Sequence, residues 1–416
     1  MLDIAAVCLV VTALLSYLNH RFVKLPTTIG VMVIALILSL LIVGLDATGL
    51  DFLGLRAQEE AFLKTLDFSR VLMDGMLSFL LFAAALHVDM AALRTHRFTV
   101  AALALVGTVL STAIVGLVMW WLLPLMGLPL PFLYCLLFGA LISPTDPIAV
   151  MGILKSAGAP KTLELVISGE SLFNDGVGVV IFSLLLGVLA SGGLPTAQAG
   201  LLLLAHEAGG GILFGLVLGS VTVWLLKTID QYQVEVLITL AAVVGGYALA
   251  SRLHVSGPLA MVITGLMVGN GGRARAMSDT TRRYVDMFWE LVDEILNAVL
   301  FVLIGMEVLL VSYSPALLLA GLAAIVVALA SRWLTVGVPV RAGQRWLQLP
   351  PGAARILVWG GLRGGISVAL ALSLPTGAER DMVLTLTYCV VVFSILVQGL
   401  TIGRVVRAVA VEPGQH

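Results

Sequence analysis

Charge is scarce in this chain: Asp, Glu, Lys and Arg make up 11% of its 416 residues, about half the share usual in soluble domains. The charge present nearly cancels, with 23 basic and 24 acidic side chains and a net charge of −1. That balance excludes a strongly basic protein, and with it nucleic acid as a partner. Cysteine is nearly absent as well. Cys8, Cys135 and Cys389 lie far apart within apolar stretches, a spacing that suits neither a disulfide framework nor a metal site, and they read as small packing residues. No Ser-His-Asp grouping, Cys/His metal spacing or phosphate loop stands out, so an enzyme is the least supported class and no cofactor is expected. The first apolar stretch follows Met1-Leu2-Asp3 without a basic lead or a small-residue cleavage site, and reads as a membrane span, not a removable signal.

Hydrophobicity is what the chain has in excess, at 60% of residues and a mean hydropathy of +1.09. A bilayer core about 30 Å thick takes roughly 20 apolar residues per helix, and such stretches recur from end to end. The pattern predicts an all-α membrane protein of about thirteen transmembrane helices. The first seven fall near 3–20, 27–45, 70–88, 98–124, 129–153, 162–190 and 200–227. The remainder fall near 233–251, 255–270, 284–311, 315–340, 354–374 and 382–403. Lys and Arg test this count, because cytoplasmic connections carry most of them. One set of connections holds sixteen: Arg21, Lys24, Arg94, Arg97, Lys155, Lys161, Lys227, Arg273, Arg275, Arg282, Arg283, Arg341, Arg345, Arg355, Arg404 and Arg407. The opposite set holds five, Arg56, Lys64, Arg70, Arg252 and Arg380, and Arg332 and Arg363 fall inside spans. The bias predicts an outside N-terminus and a cytoplasmic C-terminus in a bacterial inner membrane.

An odd count also suggests two six-span halves of opposite orientation, residues 1–190 and 233–406, around a linking span in 191–232, with a short tail at 407–416. Inverted repeats of this kind recur in secondary transporters, with discontinuous helices at matching positions. The matching fifth and twelfth spans are the most interrupted. One holds Ser143-Pro144-Thr145-Asp146-Pro147, the other Gly360-Gly361-Leu362-Arg363-Gly364-Gly365.

A charge at the centre of a membrane helix costs about 2.5–3.5 kcal/mol on insertion scales, so each one needs a reason. Asp146 precedes a proline, which suits a first helical position, and Asp is a favoured N-cap. The fifth span is therefore expected to break near Thr145, with Asp146 capping the second half-helix and the Thr145 carbonyl facing a cavity. In the sixth span Glu170, Ser171, Asn174, Asp175 and Gly178 share one helix face, a polar stripe on an otherwise apolar helix. Packing by polar side chains across helices is the alternative for Asn174 or Ser171 taken alone. Glu170 reads as half of a structural ion pair, with Arg332 and Arg363 both open as partners. In the tenth span Glu290, Asp293, Glu294, Asn297 and Glu307 are periodic; the first three could line ion access or form a solvated face. His206 and Glu207 read as local packing, and His87 and Asp89 as the end of the third span.

These strings resemble the monovalent cation:proton antiporter family, in its NhaP-type sodium/proton exchanger branch. The carriers are Ser143 to Val150, Gly169 to Gly176, Phe301 to Glu307 and Gly360 to Gly365, in family order across nearly the whole chain. The resemblance implies a homodimer in which a core of broken helices moves against a dimerisation domain. It implies that Asp175 carries the transported ion, with Asp146, Ser171 and the Thr145 carbonyl near the site as the sodium ligands. It maps the buried family glutamate to Glu170, with Arg332 favoured over Arg363 as its partner. The Asn174-Asp175 form implies electroneutral exchange. One position departs: Leu81-Phe82-Ala83-Ala84-Ala85-Leu86-His87 carries alanine at 83, where many bacterial relatives have glutamate, which removes an ion ligand. The tail after Arg407 is also shorter than the regulatory domain of some relatives.

The expectation is competition at one carboxylate in the bilayer. Aspartate in water titrates near pH 3.9, and removal from bulk water raises a carboxylate by up to about 3–5 units, which reaches neutrality. A small cation and a proton would then displace each other at Asp175, while Asn174 orients neighbours. Potassium/proton exchange is the first alternative. A cation channel, which reads ions with symmetric rings, and a sodium-coupled solute symporter, which needs a larger polar pocket, are the others.

Overall fold

In a computed structural model the described residues are 2–47, 75–191, 202, 205–272, 277–310, 314–344 and 346–411. Arg56, Lys64, Arg70, Arg273, Arg275 and Arg345, the start of the third predicted span and the end of the tail lie outside them.

Among the described residues the chain forms helices joined by turns and short loops, with no strand. It runs through α1 (Leu2–Leu18), α2 (Thr27–Ala47), α3 (Leu77–Leu86), α4 (Met90–Ala101), α5 (Thr108–Leu125), α6 (Phe132–Ile142), α7 (Ile148–Ser156), α8 (Lys161–Ser191) and α9 (Gly210–Leu226). It continues through α10 (Tyr232–Arg252), α11 (Gly257–Met267), α12 (Asp279–Met306), α13 (Pro315–Arg332), α14 (Val338–Gly343), α15 (Ala353–Trp359), α16 (Gly365–Leu372), α17 (Ala378–Phe393) and α18 (Leu400–Val411). Short π turns join α4 to α5 at Ala102–Gly107, α13 to α14 at Trp333–Gly337 and α17 to α18 at Ser394–Gly399. Helix occupies part of every interval that hydropathy marks. Among the described residues, and counting helices joined by π turns as one, eight helical stretches are long and apolar enough to cross a membrane by length and composition, and three more are apolar but shorter.

Several helices start earlier than hydropathy suggests, because polar caps add turns that carry no apolar signal. The third span ends where expected, at Leu86 with His87 as its cap, and Asp89 just beyond it has a second role. Its carboxylate accepts from the backbone N–H groups of Ala91 and Ala92 and so opens α4, about two turns before the predicted start at 98. Ser278 does the same for α12 through the Thr281 N–H. The exterior is apolar: Val10, Leu14, Trp121, Leu213 and Leu322 are all exposed, as a lipid-facing surface requires. Buried positions hold a closely packed core in which the Phe82 ring lies 4.6 Å from Trp289, tilted by 53°, and Trp289 Nε1 donates to Thr239 Oγ1 at 3.1 Å.

Both predicted interruptions are real. α6 stops at Ile142 and α7 begins at Ile148; α15 stops at Trp359 and α16 begins at Gly365. Two prolines in one case and four glycines in the other remove the hydrogen bonds or the conformational preference that would carry the helix through. The capping expectation shifts by one residue. Pro147, not Asp146, occupies the capping position of α7, and its carbonyl accepts from Met151 at 2.8 Å. Proline's fixed φ suits the helix entrance, and the Asp146 N–H is used elsewhere.

α8 lies against the first break. A Cβ on Gly178 would overlap Pro144 Cγ, so the close approach expected from this glycine is present. Gly178→Ala should therefore lower the melting temperature of the detergent-purified protein, by overpacking worth about 1–3 kcal/mol. Gly187→Ala, on the same helix with nothing within 4 Å of the new carbon, should leave it unchanged or raise it slightly.

Candidate functional site

The two interrupted segments cross and hold each other. The Asp146 N–H donates to the Leu362 carbonyl at 2.8 Å. In return, Arg363 Nη1 donates to the Pro144 carbonyl at 2.7 Å and to the Ser143 carbonyl. The Arg363 N–H donates to Ser394 Oγ at 2.8 Å, in the π turn between α17 and α18. Backbone freed by a break inside a membrane must find partners within the protein, and here each break supplies them to the other. Gly364 makes the crossing possible, since a Cβ there would overlap Asp146 Oδ2.

Arg363 is thus not the partner of Glu170. The Glu170 carboxylate takes a two-pronged bond from Arg332: Nη2 to Oε2 at 2.9 Å, and Nη1 to Oε1. Arg332 Nη2 also donates to the Leu357 carbonyl at 3.1 Å, which ties α13 and α15 to α8. Glu170 is 1% exposed and Arg332 6%, so the pair is sealed from water. The residues by themselves leave both arginines open, because they carry no distances; the Arg332 partner favoured by the family resemblance is the one found.

Asn174 connects this pair to the break. Its Oδ1 accepts from the Thr145 N–H at 3.2 Å, and its Nδ2 donates to Thr145 Oγ1 at 2.9 Å and to Glu170 Oε1 at 3.5 Å. Thr145 Oγ1 lies 3.3 Å from Ser171 Oγ. Asn174 has used both ends of its amide, so it positions Thr145.

A cavity of about 50 Å³ opens beside this network, and its lining includes Thr145, Asp146, Asp175, Asn297, Gly364 and Ser367. The two aspartates therefore face one space. Asp175 is 8% exposed and lies within electrostatic range of Asp146, Glu170 and Arg363. Glu290 and Glu294 are exposed, Asp293 is half-buried and Asn297 is buried. Asn297 Nδ2 donates to Asp293 Oδ1 at 3.1 Å, so acidic groups lead from the surface to the cavity wall along one face of α12. Ala83 is fully buried, and its neighbours Leu80, Leu81 and Ala84 line the same space.

Other polar candidates lie elsewhere. Ser256 N–H donates to the Glu207 carbonyl at 2.9 Å, in a π turn (Ala205–Gly209) without buried residues; that is a helix contact. Glu307 is buried, and its Oε1 has no hydrogen-bond partner. Glu235 is buried too, with both carboxylate oxygens unpartnered. Sequence reading passes over Glu235, since an acid in a first helical turn is ordinary.

Crossed helix breaks around a small, acidic, buried cavity define a membrane protein of the secondary-transporter kind. The chain belongs to the family of transmembrane sodium/hydrogen exchangers, whose description matches residues 10–408. It is 55% identical to the Na(+)/H(+) antiporter NhaP of Pseudomonas aeruginosa over 98% of this chain and 97% of that protein. It is 36% identical to the Na(+)/H(+) antiporter NhaH of Halobacillus dabanensis, over 93% of each. Its fold is similar to that of the sodium proton antiporter MjNhaP1 from Methanocaldococcus jannaschii, with a TM-score of 0.73, 20% identity and 97% of each chain covered.

The buried ion pair gives a stability test. Glu170→Gln or Arg332→Gln alone leaves a buried charge without its partner and should cost about 3–5 kcal/mol. Removing both charges, Glu170→Gln with Arg332→Met, should recover most of that loss in thermal melts of the purified protein.

Proposed function

We propose that this chain exchanges Na⁺ for H⁺ across a bacterial inner membrane, with the two ions competing for Asp175. The observation that carries the proposal is the shared cavity: Asp175 and Asp146 face one buried space at a helix break. A proton or a small cation each neutralises the Asp175 carboxylate, so one excludes the other. Oxygen ligands suit Na⁺, and Asp146 and Thr145 offer them in the cavity that Asp175 lines, while Ser171, outside the lining, meets Thr145 Oγ1 at 3.3 Å and supports it. Asn174 holds Thr145 in place and has no proton to give, so the Asn174-Asp175 pair contributes one exchangeable charge. One cation then moves for one proton, and exchange is electroneutral.

Cavity size bears on the alternatives. About 50 Å³ accommodates a cation with a water or two, given a share of about 30 Å³ per water. Small organic solutes occupy pockets of about 300–1,000 Å³, which disfavours a solute symporter. The similarity to proteins named Na(+)/H(+) antiporters favours sodium over potassium.

The family resemblance further supports a homodimer in which the crossed-helix core moves against the rest. The bias in Lys and Arg supports an outside N-terminus and cytoplasmic C-terminus. The matched breaks support two inverted halves, 1–190 and 233–406, joined through 191–232.

In everted vesicles carrying a pH-sensitive dye, Na⁺ or Li⁺ should dissipate a preformed pH gradient, and K⁺ should do so far less. Asp175→Asn, which keeps shape but cannot exchange a proton, should abolish the signal while the protein still purifies as a folded species. Persistent exchange in that variant sinks the assignment of Asp175, and an equal response to K⁺ sinks the sodium preference. An imposed membrane voltage should leave the wild-type rate unchanged; a voltage-driven rate would overturn electroneutrality.

A further inference from the structure

Away from the ion cavity, a second cavity of about 330 Å³ lies between the π turn with α14 and the facing α15, with Val405 of α18 beside them; Trp333, Gly337, Arg341, Arg355, Val358 and Trp359 are in its lining. We propose that this groove binds one anionic phospholipid, with its phosphate between Arg341 and Arg355.

The groove is built by spacing. Trp333, Gly337 and Arg341 recur every four residues, so they share one face of the π turn and α14. Arg355, Val358 and Trp359 share the facing side of α15. The two walls touch at Gly337, where a Cβ would lie 2.9 Å from Val358 Cγ2 and 3.1 Å from Trp333 Cδ1. From that pinch the groove leads to two exposed arginines: Arg341, eight residues or about 12 Å of helix beyond Trp333, and Arg355 at the start of α15. Trp359 is fixed, its Nε1 donating to Thr401 Oγ1 at 2.8 Å. Trp333 is 54% exposed.

Three features of this surface select a lipid. Tryptophan concentrates at the level of lipid headgroups, where its ring sits half in hydrocarbon. Guanidinium groups bind phosphate through paired N–H bonds, and basic pockets between membrane helices suit anionic headgroups. The third feature lies outside the groove. Leu322 and Val326, eleven and seven residues before Trp333, are 62% and 65% exposed and fall on the same side of α13. They extend an apolar track from the groove along the helix, where an acyl chain would lie. A free phosphate would have no use for that track, and a zwitterionic lipid would gain little from two arginines. The volume holds a phosphoglycerol head, and the tails lie outside it.

The occupant would link α14 and α15, and through them α13 and the Arg332 end of the buried ion pair. It is independent of the ion assignment, since none of these residues lines the ion cavity.

The test uses the purified full-length protein in a neutral detergent, with phosphatidylglycerol, phosphatidylcholine and inorganic phosphate as separate probes. Native mass spectrometry should show phosphatidylglycerol retained, and the melting temperature should rise with that lipid alone. Arg341→Gln with Arg355→Gln should weaken retention about thirtyfold, given the attraction of each arginine to an anionic surface. Ala354 also lines the groove, so Ala354→Phe, which fills it and keeps both arginines, should weaken retention as well. If the double variant does not fold, Arg341→Gln alone is compared, with about a fivefold loss expected. Unchanged retention in the folded variants, equal retention of phosphatidylcholine, or equal stabilisation by inorganic phosphate would each overturn the proposal.

Discussion

The centre of this structure is an exchange of backbone hydrogen bonds between two broken helices. Hydrocarbon offers no water to satisfy a freed carbonyl or N–H, so a single broken helix in a membrane would leave groups stranded at several kcal/mol each. Two breaks laid across each other remove that penalty. The Asp146 N–H reaches Leu362, and Arg363 covers the carbonyls of Ser143 and Pro144. A guanidinium placed at the carboxyl end of a half-helix also meets its negative dipole end. The cost of burying Arg363 is thereby offset by the backbone it satisfies. Neither break is tenable without the other, so the site they frame belongs to both halves of the chain.

That crossing needs external bracing, because unwound backbone has no ladder of its own. Bracing comes through α8. Arg332 grips Glu170, Glu170 meets the Asn174 amide, and Asn174 holds Thr145 by both its N–H and its hydroxyl. The chain of contacts starts on α13 and ends at the first break. Four polar side chains, each costly alone in a membrane, become tolerable as a connected set because every member has a partner. Asp175, one position further along α8, is turned toward the cavity.

Much of this is legible in the letters, and the reasons differ by residue. Pro144, Pro147 and the four glycines around Arg363 announce breaks because covalent chemistry denies them a regular helix. Asp175 and Asp146 announce a site because a carboxylate is too costly within a membrane span to persist there without a role. The stripe from Glu170 to Gly178 follows from helical period alone. What stays hidden depends on distance. Which arginine meets Glu170, and that Arg363 caps carbonyls instead, is decided by how two remote segments cross. Asp89 does follow a helix end, but its cap on α4 goes unread because caps and ends share the same residue types. Ala83 illustrates the opposite limit: the letter marks a missing carboxylate, yet only the packing shows that Leu80, Leu81 and Ala84 face the cavity.

Formal charge around the crossing connects structure to the proposed exchange. Arg332 and Arg363 are balanced by Glu170 and Asp146, and Asp175 is left over. With that carboxylate empty, the cluster carries one net negative charge in a medium where such a charge costs several kcal/mol to hold away from water. With a proton or a sodium ion bound, the cluster is neutral. A core that moves through the membrane would do so readily in either loaded form and reluctantly in the empty one. This asymmetry is what makes an exchanger instead of a leak, since unaccompanied return of the empty site would uncouple the two ions. It requires an odd acid in an otherwise balanced set, which is the arithmetic that an asparagine at 174 preserves and a second aspartate there would alter.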